Sequence, residues 1–362
     1  MEATIIDVAK RTKVSIGTVS NVIHNKPNVE SKTREKVLKS IHELGYVPNE
    51  SAQNLKKGIR NDLKKRLTNN IGLIVYKGFN RYGFADHTSL VEGLDKEIRN
   101  HDNHLYFYYR VDELSENSSL FNKVVNSGNI DGLIVLSSQL EGIYEQVRKR
   151  IKNIISIGEP LGKEGDIDCL MFDDYGASYN AVKYLAESGH KRIGSITNLA
   201  YYKERQFVSN RQRAFKDAVR DLGLENDETL IEGVLPRDFF DLGAGMTLNK
   251  EAGYRLMKNL LIKAKPLPTA VFLENAESCS GVVEAIREAG LRIPDDISVI
   301  TIGNSNLMGN VEPKITTFMY DVNEASKAVV KKLLERINTP RIKQVKILFP
   351  FDLSAGESCR KI

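Results

Sequence analysis

Val14-Ser15-Ile16-Gly17-Thr18-Val19-Ser20-Asn21-Val22-Ile23-His24-Asn25-Lys26-Pro27-Asn28, near the start of a 362-residue chain, is the stretch on which the fold turns. Val14-Ser15 interrupts a preceding helical pattern, and the Ser15 hydroxyl is suited to capping a new helix. Val19, Val22 and Ile23 then recur at helical spacing and form its buried face. Asn25-Lys26-Pro27-Asn28 is a turn by composition. Upstream, Thr4 followed by Asp7 has the form of a capping box, and Ile5, Val8 and Ala9 make an apolar face. Downstream, Val37, Leu38, Ile41 and Leu44 are expected inward on a third helix that ends at Gly45. Two short helices joined by a tight turn and braced by a third make a helix-turn-helix pattern. Periodicity alone fits other small three-helix units as well.

Charge narrows the choice. Residues 1–66 hold fourteen Lys/Arg against seven Asp/Glu, a net of +7, within a chain of net charge +5. A basic head on a near-neutral body is built to neutralise phosphate at one end. From Pro48 to Asn70 the chain is polar and basic, and reads as a linker carrying at most one marginal helix. The apolar runs, such as Ile71–Tyr76, are strand-sized and far too short to span a membrane. The first residues lack the apolar core of an export signal, so a cytoplasmic protein is expected. Cys169, Cys279 and Cys359 are widely spaced and read as reduced thiols.

The body alternates short β-rich runs (71–76, 105–109, 132–136, 154–157, 169–172, 193–197, 270–273 and 297–302) with helical segments (89–100, 177–188, 212–222, 252–264 and 279–289). Such alternation gives doubly wound parallel sheets, and a body of about 290 residues divides into two lobes. A ligand is expected between the lobes, at the carboxyl ends of the strands.

Enzyme signatures fail on spacing. Gly158-Glu159-Pro160-Leu161-Gly162-Lys163-Glu164 sets its glycines one residue too close for a phosphate loop, and Glu164 replaces the hydroxyl that would hold magnesium. Gly243-Ala244-Gly245 lacks the third glycine of a dinucleotide fingerprint. His101 and His104 lie in a polar turn with no third ligand beside them. No G-x-S-x-G or H-E-x-x-H occurs. A catalytic role, a metal and a cofactor are therefore not expected.

The head segments Thr4–Ala9, Val14–Ser20, Ser31–Val37 and Leu44–Asn49 fall in the order and spacing of the LacI family of bacterial regulators, which this chain resembles. Asp131–Ile134, Ser188–Gly194, Ile293–Val299, Pro313 with Thr316-Thr317, and Leu353 to Ser358 extend the resemblance through the body. It implies an all-α three-helix DNA-binding head (1–48), a hinge helix and linker (49–69), and an α/β body (70–362). That body would have two periplasmic-binding-protein-like lobes that bind an effector and dimerise. The family's second helix enters the major groove, which puts Ile16, Gly17 and Asn21 at base-facing positions. Ser15, Thr18, Ser20, Thr33 and Tyr46 fall where contacts to phosphate position the head. Asn49 and Ala52 accompany Leu55, which matches the leucine that the family wedges into the minor groove.

Departures from the family pattern bear on specificity. Asn21 stands where many members carry arginine, and asparagine favours adenine. Lys13 occupies a turn position usually held by glycine. In the body, Arg211 matches an arginine that clamps ligand hydroxyls or carboxylates, and Glu159, Asn275 and Tyr320 fall at positions expected to line the cleft. Ala276 and Ser305 replace two aspartates, and Gly356 replaces an arginine. If nothing else compensates Arg211, the effector carries an anionic group such as a phosphate or carboxylate. The resulting expectation is a homodimeric, operator-binding repressor controlled by a small molecule that is carbohydrate-related. The alternatives are control by a partner protein, and a sugar-binding protein without a regulatory role.

Overall fold

The structure is a computed structural model and describes residues 4–23, 26, 29–44, 67–76, 85–126, 128–136, 140, 142–162, 167–197, 206–233, 249–303, 308, 310–339 and 342–362. The chain divides into two compact units, Met1–Arg66 and Leu67–Ile362.

Among the described residues, three helices build the first unit: α1 (Ile5–Thr12), α2 (Ile16–Ile23) and α3 (Ser31–Leu44). Thr4 caps α1 through a reciprocal bond with Asp7: the Thr4 N–H donates to the Asp7 carboxylate at 2.8 Å, and the Asp7 N–H donates to Thr4 Oγ1 at 3.4 Å. Lys13 ends that helix in the left-handed region (φ 55°, ψ 39°) and returns its N–H to the carbonyls of Ala9 and Lys10. A side chain there costs about 1–2 kcal/mol relative to glycine. Val8, Ala9, Val19, Val22 and Val37 form the core, with Ile5, Ile23, Ile41 and Leu44 packed on it. Leu38 does not join them and is 50% exposed. One residue of helix turns a side chain about 100°, so Val37 takes the inward position and Leu38 is carried out of it.

Among the described residues, the second unit contains twelve strands: β1 (Asn70–Val75), β2 (His104–Arg110), β3 (Gly132–Leu136), β4 (Ile154–Ile157), β5 (Asp168–Phe172), β6 (Ile193–Thr197), β7 (Ile231–Gly233), β8 (Ala270–Leu273), β9 (Ser298–Ile302), β10 (Thr316–Met319), β11 (Lys346–Phe349) and β12 (Asp352–Ser354). Its helices are α4 (Ala85–Asn100), α5 (Val111–Glu116), α6 (Ser118–Phe121), α7 (Tyr144–Arg150), α8 (Asp174–Glu187), α9 (Gln206–Asp221), α10 (Lys250–Lys263), α11 (Cys279–Glu288) and α12 (Val322–Asn338). His104 opens β2 and so lies outside the polar turn expected to hold it.

Two six-stranded sheets result, ordered β2-β1-β3-β4-β5-β11 and β7-β6-β8-β9-β10-β12. Every pairing is parallel except β10 with β12. Each sheet reverses its winding once, between β1 and β3 in the first lobe and between β6 and β8 in the second. Ligands of doubly wound folds sit outside the strand carboxyl ends at such a switch point. The central strands are mostly apolar because helices cover both faces; β3, β4 and β8 are buried along their whole length.

The chain crosses between lobes three times: from β5 into α8, from β10 into α12, and from β11 into β12. Each crossing contributes an aromatic ring to one cluster. Phe172 stacks on Tyr320 with centroids 4.1 Å apart, and Phe351 meets both rings edge-on at 6.2 and 5.6 Å. Phe349 adds an edge contact to Phe172 at 6.4 Å.

Buried polar groups mark the joints of the lobes. On α12, Arg336 forms a bidentate pair with Asp168, at the start of β5, with one bond of 2.9 Å to Oδ1. The Val345 N–H, just before β11, donates to the same Asp168 oxygen at 2.9 Å. One carboxylate thus fastens a helix and an edge strand to the first sheet. In the second lobe His190 is fully buried. Its Nε2 lies 3.1 Å from the Arg360 carbonyl and its Nδ1 lies 2.9 Å from Thr269 Oγ1. A carbonyl only accepts, so the neutral ring carries its proton on Nε2.

Burial holds the His190 pKa below its ordinary value. Below about pH 6.5 the unfolded chain takes up a proton that the folded ring refuses. The stabilisation is complete above that pH and is lost as pH falls from it towards the depressed folded value. Thermal melts between pH 7.5 and 5.5 should therefore show a steeper acid loss for the wild type than for His190→Gln. Equal slopes would show that the ring protonates in place. All three cysteines are free, and burial pushes the Cys279 thiol up to about 12, far from reactivity.

Candidate nucleic-acid interface and ligand site

The first unit offers a helix face. Ser15 Oγ accepts the Thr18 N–H at 3.0 Å and lies 2.9 Å from Thr18 Oγ1, so the two hydroxyls together fix the start of α2. Val19 and Val22 turn into the core, leaving Ile16 and Gly17 exposed and Ser20 and Asn21 half-buried. Thr33 is half-buried in the first turn of α3, and Arg34 in the same turn donates to the Lys26 carbonyl. Both helices thus present their N-termini, where free N–H groups favour phosphate oxygens. Tyr46, Asn49, Ala52 and Leu55 lie outside the described residues.

In the second lobe the switch point falls between the ends of β6 and β8, and polar groups converge there. Thr197, the last residue of β6, donates its hydroxyl to the buried carboxylate of Glu274, which follows β8. Arg211, on α9, donates from Nη1 to the Glu274 carbonyl at 2.7 Å. Its Nε and Nη2 both reach Asp174 Oδ1, at 2.8 and 2.6 Å. Asp173 caps α8 by accepting the Gly176 N–H at 2.9 Å, which places Asp174 in the first turn of that helix. Burial pushes the Asp174 carboxyl up and the Arg211 guanidinium opposes that shift. The guanidinium is held flat against two elements of the lobe, an arrangement suited to presenting donors in a fixed direction.

The expected ligand residues are distributed unevenly. Arg211 and Asn275 come together through Glu274. Asn275 uses its carboxamide oxygen to cap a short 3₁₀ turn, accepting the Glu277 N–H at 2.8 Å. Glu159 is half-buried beyond the end of β4, in the other sheet. Tyr320 is 9% exposed and belongs to the aromatic cluster of the crossings. It also borders a cavity of about 680 Å³, together with Gly93 and Lys96 of α4 and Asp321, Asn323 and Asp352.

The substitutions read from sequence have physical counterparts. Ala276 is buried and packed in the core, and Ser305 lies outside the described residues. At Gly356 a Cβ atom would stand 2.2 Å from the Lys314 carbonyl oxygen, so this backbone leaves no room for a side chain. Arg211 is not left uncompensated, as an anionic effector would require, because Asp174 supplies a carboxylate. Asp174 and Glu274, which were not among the expected residues, complete the polar cluster around Arg211. The Asp173-Asp174 doublet ahead of a helix was the available signal, because one aspartate caps and the next is then carried into the first turn. Among the described residues no group of three or more His, Cys, Asp or Glu could hold a metal ion, and no helix is long and apolar enough to cross a membrane.

Comparison with known proteins covers the whole chain. Residues 4–49 match the family model described as bacterial regulatory proteins, lacI family, and residues 182–359 match a periplasmic binding protein-like domain. A Bacillus subtilis (strain 168) protein described as a probable HTH-type transcriptional repressor, ExuR, is 29% identical over 368 residues, covering 99% of each chain. The HTH-type transcriptional repressor PurR of Aliivibrio fischeri (strain MJ11) is 30% identical over 337 residues, covering 92% of each. Among solved structures, the lac repressor dimer bound to operator and the anti-inducer ONPF aligns with a TM-score of 0.66 at 20% identity, covering 99% of this chain and all of that one. The transcriptional regulator CelR in complex with cellobiose aligns with a TM-score of 0.65 at 23% identity, covering 98% and 99%.

Proposed function

The chain belongs to the LacI family of bacterial DNA-binding transcription regulators, and from that membership we propose how its own residues do the work. Two heads of a homodimer lay α2 in successive major grooves of a pseudo-palindromic operator and repress the genes beside it. Ile16, Gly17 and Asn21 face base edges. Ser15, Thr18, Ser20 and Thr33 set the helix against phosphate, with Tyr46 beside them. Asn49, Ala52 and Leu55 form the hinge segment, where Leu55 enters the minor groove and bends the duplex. The chain acts in the cytoplasm, where its operator lies, and carries out no catalytic step.

A small molecule between the lobes sets operator affinity through their closure, which is allostery in the thermodynamic sense of differential binding to two states. The observation that carries this part is the Asp174–Arg211–Glu274 constellation at the switch point of the second sheet. A guanidinium paired with a carboxylate presents donors and acceptors together and little net charge. That combination fits the hydroxyl groups of a neutral, carbohydrate-related effector, in keeping with the cellobiose bound by CelR.

The full-length protein titrated with random and selected duplexes tests the reading. Specific DNA should bind at least about 10³-fold tighter near 150 mM salt, with affinity falling steeply as salt rises. Equal affinities would refute it. Calorimetry with neutral sugars and with sugar phosphates then tests the ligand class; tighter binding of the phosphates would overturn the neutral assignment.

A further inference from the structure

The exposed face of α2 restricts which bases it can read. The helix, Ile16-Gly17-Thr18-Val19-Ser20-Asn21-Val22-Ile23, carries no charged side chain. Guanine is read by arginine or lysine, because its O6 and N7 are two adjacent acceptors that call for two donors. Lys13 and Lys26 flank the helix from the turns before and after it, positions suited to phosphate.

What the face does carry has a definite chemistry. Ile16 is 36% exposed although it is apolar, and it takes no part in the core of the head. A branched alkyl group facing the groove finds its match in the thymine C5-methyl. Asn21 is half-buried, and its carboxamide makes no hydrogen bond among the described residues. It offers one donor direction and one acceptor direction, complementary to the N7 acceptor and N6 amino donor of adenine. Against guanine its oxygen would face O6, acceptor to acceptor.

Gly17 adds a third observation. A Cβ there would meet only Ser15 Oγ, at an ordinary 3.5 Å, so no neighbour requires glycine. Glycine disfavours a short helix, and the bare backbone instead lets a partner approach closely between Ile16 and Asn21.

We infer that the base pairs beneath α2 in each operator half-site are A·T, with adenine opposite Asn21 and a thymine methyl against Ile16. The inference rests on the operator-binding reading and adds its sequence preference. Selection of bound duplexes from a randomised library, run in parallel with full-length wild type, Asn21→Arg and Asn21→Gln, tests it. Wild type should enrich half-sites with A·T at the pair that responds to residue 21. Asn21→Arg should convert that one pair to G·C and bind the wild-type site at least about fivefold more weakly. Asn21→Gln, which keeps the carboxamide, should retain A·T there, and this arm stands by itself if the arginine variant fails to fold. Wild-type enrichment of G·C at that pair, or loss of A·T preference in Asn21→Gln, overturns the inference and leaves the regulator reading intact. Wild type enriching no sequence at all overturns both.

Discussion

Arg336→Met is expected to remove about 3–5 kcal/mol from the stability of the body. Asp168 is fully buried and the Arg336 side chain is 6% exposed, so water cannot replace the lost guanidinium. The variant leaves a carboxylate in the interior with the Val345 N–H still donating to it. A single buried charge of this kind is far more damaging than loss of the pair as a whole, since replacing both partners with apolar groups is often neutral. The double variant Arg336→Met with Asp168→Leu should therefore recover part of the loss, the remainder reflecting the unsatisfied Val345 donor. Urea unfolding measures the effect: the midpoint should fall while the slope stays constant. A loss under about 1 kcal/mol would mean that the pair behaves as a solvated surface bridge.

Asp174→Ala carries a comparable cost and a second consequence. It strips the Asp174 carboxylate from Arg211, whose side chain is 17% exposed and which also donates to the Glu274 carbonyl at 2.7 Å. A loss of about 3 kcal/mol is expected from removing one partner of this buried pair. The effector response should disappear with it, since the guanidinium loses the anchor that fixes its plane. The variant should also gain affinity for anions, which can take the place of the missing carboxylate. Operator binding without effector should persist, because the head is untouched. Thermal shift and calorimetry on one preparation report all three effects. An unchanged effector affinity would remove Asp174 and Arg211 from the ligand site.

Much of this molecule could be read from its residues, for reasons that differ by element. Thr4 with Asp7, and Ser15 ahead of Val19 and Val22, are local signals, and local hydrogen bonds honour them. The central strands are apolar runs because helices cover both faces. β10 escaped that search because Thr316-Thr317-Phe318-Met319 is half hydroxyl. Its threonines are buried without penalty: the Gly356 N–H donates to Thr316 Oγ1 at 3.1 Å, and Thr317 Oγ1 donates to the Gly303 carbonyl at 3.0 Å. β11 and β12 are edge strands with exposed residues, so their composition announces neither burial nor pairing. In the site, Arg211 was visible through the family pattern, but its partner is 37 residues earlier. Only the packing of α9 on α8 makes them neighbours, and no spacing rule reaches that far.

The chain contains fourteen tyrosines and no tryptophan. Phe351 is half-buried at the one place where rings from all three crossings meet. An indole introduced there by Phe351→Trp would be the sole emitter excitable at long ultraviolet wavelengths, and it would sit among the segments that join the two lobes. Its emission would report closure directly, in the free protein, on operator and with effector, without any dye attached to a surface that the dimer or the DNA needs.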